Sequence, residues 1–185
     1  MFAAVIWFLL MHSLFYKDRI LGSASDPIYE SAKRGHYDDA VQKALAQIRD
    51  QRRDYFQYNE VVMIYLLRSY KDEPHREEWA QQAASYIDKM ASLASDNPLN
   101  LVNAAHDYER VGDLSKNGCA SYTKAITLSQ AAIPLLQAET VAVKDWKVPA
   151  EPIRQENDSL LQRLSEKTHS SCAATHGQVP PSGLH

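Results

Sequence analysis

Residues 98–128 read PLNLVNAAHDYERVGDLSKNGCASYTKAITL, and their spacing decides the fold. Leu101, Ala104, Ala105 and Tyr108 follow one another at intervals of three, one and three residues, which places them on one face of a helix. Gly112-Asp113 predicts the end of that helix. A second helical pattern follows, with Tyr122, Ala125, Ile126 and Ser129 on its inner side. Ala104, Ala105 and Ala125 suit places where two helices approach closely, and Tyr108 and Tyr122 suit the wider gaps. The unit reads as a helical hairpin whose apolar face cannot be buried alone, so it needs neighbours.

Those neighbours are present upstream. Asp26-Pro27 reads as an N-cap followed by proline at the first helical position, and Gly35 stops the short helix that follows. A second helix then carries Ala40, Val41, Ala44, Leu45 and Ile48 on one stripe. Between these and residues 98–128 lies a middle hairpin. Its first helix is predicted over 54–70, with Phe56, Tyr58, Val61, Val62, Tyr65 and Leu66. Pro74 closes that helix, because the residue before a proline is pushed out of helical geometry. The partner helix is predicted over 75–95, with Trp79, Ala83, Tyr86, Ile87, Met90 and Ala94 on its stripe.

Downstream the pattern loosens. Pro134 ends or kinks the third hairpin, and Pro149 and Pro152 are read as bracketing a turn after Trp146. Residues 151–168 predict one more helix, with Ile153, Leu160, Leu161 and Leu164 on its apolar side and charges elsewhere, as a terminal cap requires. Residues 169–185 are rich in Ser, Gly and Pro and are expected to be disordered.

The first 16 residues, MFAAVIWFLLMHSLFY, are nearly all apolar. As a helix they span about 24 Å, somewhat less than the roughly 30 Å of a bilayer core. Including Lys17, Asp18 and Arg19 at an interface extends the segment to Leu21. Three readings stand: an uncleaved anchor, a signal peptide and a core helix. Large apolar side chains on all sides and the lack of a basic leader favour an anchor over residues 1–21, with residues 22–25 as a linker. Lys17 and Arg19 follow the apolar run, where the positive-inside rule would hold them in the cytoplasm. N-terminal anchors ahead of a soluble domain commonly export it, so an extracytoplasmic domain is expected.

Composition narrows the function. The net charge is −3, with acids and bases interspersed, so no basic stripe points to nucleic acid. No nucleophile elbow, phosphate loop, dinucleotide fingerprint or zincin motif occurs. The tail carries His169, Cys172, His176 and His185, spaced more loosely than structural zinc sites usually are. Nothing here asks for a cofactor, a catalytic residue or a small-molecule substrate. Cys119 and Cys172 are far apart in sequence, and a disulfide and two separate thiols are equally compatible with them.

Leu101, Ala104, Ala105, Tyr108, Gly112, Tyr122 and Ala125 resemble the tetratricopeptide-repeat consensus, with one extra residue between Gly112 and the second helix. The segment GHYDDAVQKAL, starting at Gly35, resembles the turn and second helix of such a repeat. The resemblance extends over residues 26–130, loosely in the middle unit. It implies an all-α fold: a right-handed superhelical stack of about three hairpins with a C-terminal capping helix, occupying residues 26–168 behind one transmembrane helix. It also implies a concave groove lined by outward positions of each first helix. Those positions would be Tyr58, Val61, Tyr65 and Arg68 in the second unit, and Val102, His106, Glu109 and Arg110 in the third. Tyr58 and Tyr65 could equally pack between hairpins. The implied function is a membrane-anchored scaffold that binds a peptide or helix of a protein partner, or else a fixed accessory subunit of a membrane complex.

Overall fold

The structure, a computed structural model, describes residues 27–50, 55–143 and 146–176. The predicted anchor over 1–21 and the linker at 22–25 lie outside the described residues. Among the described residues, no helix is long and apolar enough to cross a membrane.

Seven helices account for most of these residues. Helix α1 (Pro27–Lys33) starts at its proline and buries Ile28 and Ala32. It ends in a backbone motif: the Gly35 N–H donates to the Ala32 carbonyl and the His36 N–H to that of Ser31. Such a double bond needs a residue in the left-handed region, and Gly35 sits at φ 87°. Helix α2 (Tyr37–Asp50) turns Ala40, Val41, Ala44 and Ile48 inward, as the stripe predicts. Helix α3 (Tyr55–Lys71) is followed by a short 3-10 turn at Glu73–His75, and helix α4 (Arg76–Leu93) returns along it.

Asn97 then caps helix α5 (Pro98–Leu114). Its side-chain oxygen accepts from the Leu99 and Asn100 N–H groups, with Pro98 at the first helical position. Asn100 is fully buried and donates from Nδ2 to the Met90 and Ala94 carbonyls, satisfying carbonyls at the end of α4. Helix α6 (Cys119–Ala132) packs back on α5.

Gly112 does not break α5, which continues to Leu114. Its role is close packing. A Cβ there would lie 2.3 Å from Tyr122 Cε1, and one on Gly118 would lie 2.6 Å from the Gly112 carbonyl oxygen. The two glycines let the Tyr122 ring close against the end of α5, where its O–H donates to Asp113.

Two predictions fail after α6. Residues 140–149 form an antiparallel hairpin, β1 (Thr140–Val143) and β2 (Trp146–Pro149), with Val141 opposite Val148. The fold is therefore mostly helical rather than all-α. The hairpin packs Val141 with Leu101, Val102, Leu136 and Ala150, closing the gap between the end of α6 and the start of the next helix. That helix, α7 (Ala150–His176), takes Pro152 in its first turn, where a missing N–H costs nothing, and runs through residues predicted to be disordered. Only 177–185 of that tail lie outside the described residues.

The packing is orderly. Helix α3 contacts α1 as well as α2; α5 contacts α3 as well as α4; α7 contacts α5 as well as α6. Each new odd helix thus seats on both helices of the pair before it. One apolar cluster runs from Tyr55 through Leu66, Ile87, Tyr108 and Tyr122 to Leu160 and Leu164, and a smaller one holds α1 and α2 to Val61 and Ile64.

Candidate functional site

The eight residues predicted to line one groove separate into three groups. Val61 and Val102 are core side chains, 0% and 2% exposed, and present no surface to a partner. Val61 faces α1 and α2, and Val102 faces the β-hairpin cluster. Their apolar character belongs to the stack, and a groove assignment counted from a repeat consensus misplaces them.

Tyr58, Tyr65 and Arg68 turn toward neighbouring helices. Tyr58 packs against both apolar clusters. Tyr65 stacks on Trp79 and Tyr86 of α4, with ring centroids 6.3 and 5.8 Å apart. One turn along α3, the Arg68 guanidinium lies 3.6 Å from the Trp79 ring centroid and 5.5 Å from that of Tyr37. Its Nη1 donates to Asp38 of α2 at 2.7 Å. Trp79 is fixed in turn, because its indole N–H donates to Asp72 at 2.8 Å. That bond, followed by one from His75, holds the Asp72 carboxyl below its ordinary pKa. The cluster binds α2, α3 and α4 together. A planar guanidinium suits such stacking better than an ammonium does.

His106, Glu109 and Arg110 form the third group, and α7 covers most of it. His106 Nε2 lies 3.0 Å from Glu156, and its Nδ1 lies 3.8 Å from Glu109. Glu109 also meets Lys167 at 3.0 Å and Arg163 at 3.4 Å. Lys167 reaches Asp113 at 2.7 Å. Burial alone lowers the His106 pKa, but the neighbouring Glu109 and Glu156 carboxylates outweigh it and the net shift is upward. Glu109 is held at about 2, first by the neighbouring His106 and then, against the cost of burial, by Lys167 and Arg163.

Arg110 points the other way, with Nη1 3.0 Å from Asp107 and 3.5 Å from the Met63 sulfur of α3. Asp107 is buried, which raises its pKa to about 6 even though Arg110 and His106 pull against that shift. Arg110 therefore marks the line where α3 and α5 lie side by side.

Sequence reasoning omitted the partners from α7. Glu109 and Asp113 are four residues apart, and so are Arg163 and Lys167. Acids at i, i+4 facing bases at i, i+4 are a legible signal once the two helices are known to pack. It also left the cysteines open. Cys119 and Cys172 form a disulfide, with Cα atoms 5.2 Å apart, joining the first residue of α6 to α7. Cys172 therefore has no thiolate to offer a metal. Among the described residues, no group of three or more His, Cys, Asp or Glu side chains is placed to hold a metal ion.

No protein-family model, curated protein or solved structure matches this chain.

Proposed function

We propose that this chain is a membrane-tethered adaptor of tetratricopeptide type whose helical stack docks a protein partner on the oxidising side of a membrane. The observation that carries the reading is the seating of each odd helix on the whole preceding pair, which lays α3 and α5 side by side along one partly exposed face. Met63 and Arg110 meet on that face, and Asn103 stands about two turns before Arg110 on the same side of α5. An extended peptide or a helix laid across two parallel rods finds such a face preformed.

The disulfide supports the compartment, since such bonds persist where the environment is oxidising. The apolar run over residues 1–21 supports the tether. Charge at this face comes from Arg110 with its Asp107 partner, and His106 and Glu109 turn toward α7.

The test is a pull-down of the full-length protein from solubilised membranes beside an Asn103→Arg variant. That change adds length and charge to the face while leaving the Asp107–Arg110 pair in place. A stoichiometric partner that the variant loses, with its circular dichroism melt unchanged, supports the adaptor. A partner that survives moves the interface elsewhere and favours the accessory-subunit reading. Protein found in the soluble fraction with nothing bound overturns both tether and adaptor.

A further inference from the structure

We propose that the Cys119–Cys172 disulfide is a reversible redox latch, a modification site for a dithiol reductant, whose opening releases the end of α7 and leaves the helical stack folded. This goes beyond the adaptor reading and does not rest on it.

Packing supplies the first argument. The apolar grip of α7 consists of Ala150, Leu160 and Leu164, all fully buried. From 165 to 172 none of its residues is buried: Ser165, Glu166, His169 and Ser170 are exposed, and Lys167, Thr168, Ser171 and Cys172 are half-buried. The Thr168 hydroxyl oxygen is shielded from water and has no hydrogen-bond partner among the described residues. The Lys167 pairs with Asp113 and Glu109, its place over the Tyr122 ring and the disulfide help to hold this end, and none of residues 165–172 is buried in a core. Segments with so little buried apolar surface open without the rest of the domain.

Access supplies the second. Both cysteines are half-buried rather than enclosed, so an attacking sulfur can reach them.

The local electrostatics give the direction of attack. Cys119 is the first residue of α6, whose N-cap Gly118 offers no side-chain acceptor and whose first turn has no acidic residue. The Cys119 N–H has the Asn117 side-chain oxygen at 3.3 Å. A helix start with so little negative charge favours a thiolate at its first position. Cys119 is therefore the better leaving group, and Cys172 is the sulfur attacked.

The exchange balances as follows. A thiolate of the dithiol attacks Cys172 Sγ; the bond between the cysteines breaks and its electron pair leaves on Cys119 as a thiolate. The second thiolate of the reductant attacks the reductant's own sulfur in the mixed disulfide, expelling Cys172. The dithiol ends as a disulfide, and the two cysteines have taken up two electrons, with protons following from water according to pH.

The experiment treats the full-length protein with dithiothreitol without denaturant and follows amide hydrogen exchange by mass spectrometry. Exchange over residues 165–176 should rise by about tenfold or more, while 27–164 stay within about twofold. A Cys172→Ser variant should give the same pattern without reductant, and reoxidation should reverse it in the wild type. Glutathione, a monothiol that stalls at the first step, should be trapped on Cys172. A disulfide that yields only in denaturant overturns the latch, as does reduction that loosens 27–164 equally or leaves 165–176 unchanged. An adduct on Cys119 overturns the direction of attack.

Discussion

The two ends of the stack face the same problem and meet it differently. Among the described residues, each terminal helix has one side that no further helix pair covers. At the N-terminal end the described residues close the chain with a backbone motif at Gly35 and an aromatic–guanidinium cluster at Arg68. At the C-terminal end a glycine-permitted tyrosine contact, a network of ionised groups and a disulfide hold α7 down. The C-terminal end also holds His106 and Asp107, both with raised pKa values, so the two ends should respond differently to pH as well as to mutation.

The largest effect should come at the C-terminal end. In Gly112→Ala the new methyl must displace the Tyr122 ring, whose own freedom is limited by burial and by the bond to Asp113. Overpacking of this kind costs about 3 kcal/mol. A Gly112→Ala, Tyr122→Leu double variant, measured by denaturant unfolding, should recover part of that loss. If the single variant unfolds at the wild-type midpoint, the close approach is not what joins α5 to α6. The N-terminal counterpart is Arg68→Ala, which removes a desolvated cation from the Trp79 face and its bond to Asp38. It should cost about 2 kcal/mol, and Arg68→Lys should recover less than half, because the stack depends on a planar group. Full rescue by lysine would reduce the cluster to a simple ion pair.

How much of this the sequence carried differs between the two ends for a physical reason. The apolar stripes of α2, α4 and α5 are local periodicities, so Ala40, Ala83, Ala104 and Tyr108 are found buried where spacing placed them. Gly35 was readable because a chain reversal needs its φ. The β-hairpin carried a signal too: Thr140, Val141, Val143, Trp146 and Val148 are strand formers around Lys144-Asp145. A chain with helical periodicity elsewhere masks so short a run. Helix α7 was cut short because its last turns lack large apolar residues, and a disulfide separated by 53 residues has no local signature. The supposed groove failed at Val61 and Val102 because a consensus position says which way a side chain points only if the register is right. Arg68 and Glu109 found partners on other helices, Trp79 and Lys167, that spacing within α3 or α5 cannot reveal.

The pH response gives a sharper test of the comparison. A histidine with a raised pKa stabilises the native state below its ordinary value of 6.5, and that contribution is lost as pH rises through the native value. Asp107 works in the same direction. Its native pKa of about 6 means that the folded chain keeps a proton the unfolded chain releases from 3.8 upward, so stability falls between those values. Glu109 does the opposite: its contribution is present above 4.5 and disappears only as pH falls toward about 2. The C-terminal end should therefore weaken as pH rises, from 3.8 to about 6 through Asp107 and above 6.5 through His106, with hydrogen exchange in α7 rising while that in α2 stays level. His106→Gln should flatten the upper part of that change. A uniform response along the chain would remove the distinction between the ends.

The smallest effect isolates the backbone. At Gly35 an added Cβ would meet nothing within 4 Å, so Gly35→Ala tests the left-handed conformation alone and should cost about 1 kcal/mol. Asparagine tolerates that region better than alanine, so Gly35→Asn should lie between the two. The ranking matters more than the size. If alanine and asparagine destabilise equally, the strain at Gly35 does not close α1. The N-terminal end would then depend on Ile28 and Ala32 packing beneath α2, and both ends of the stack would be held by side chains.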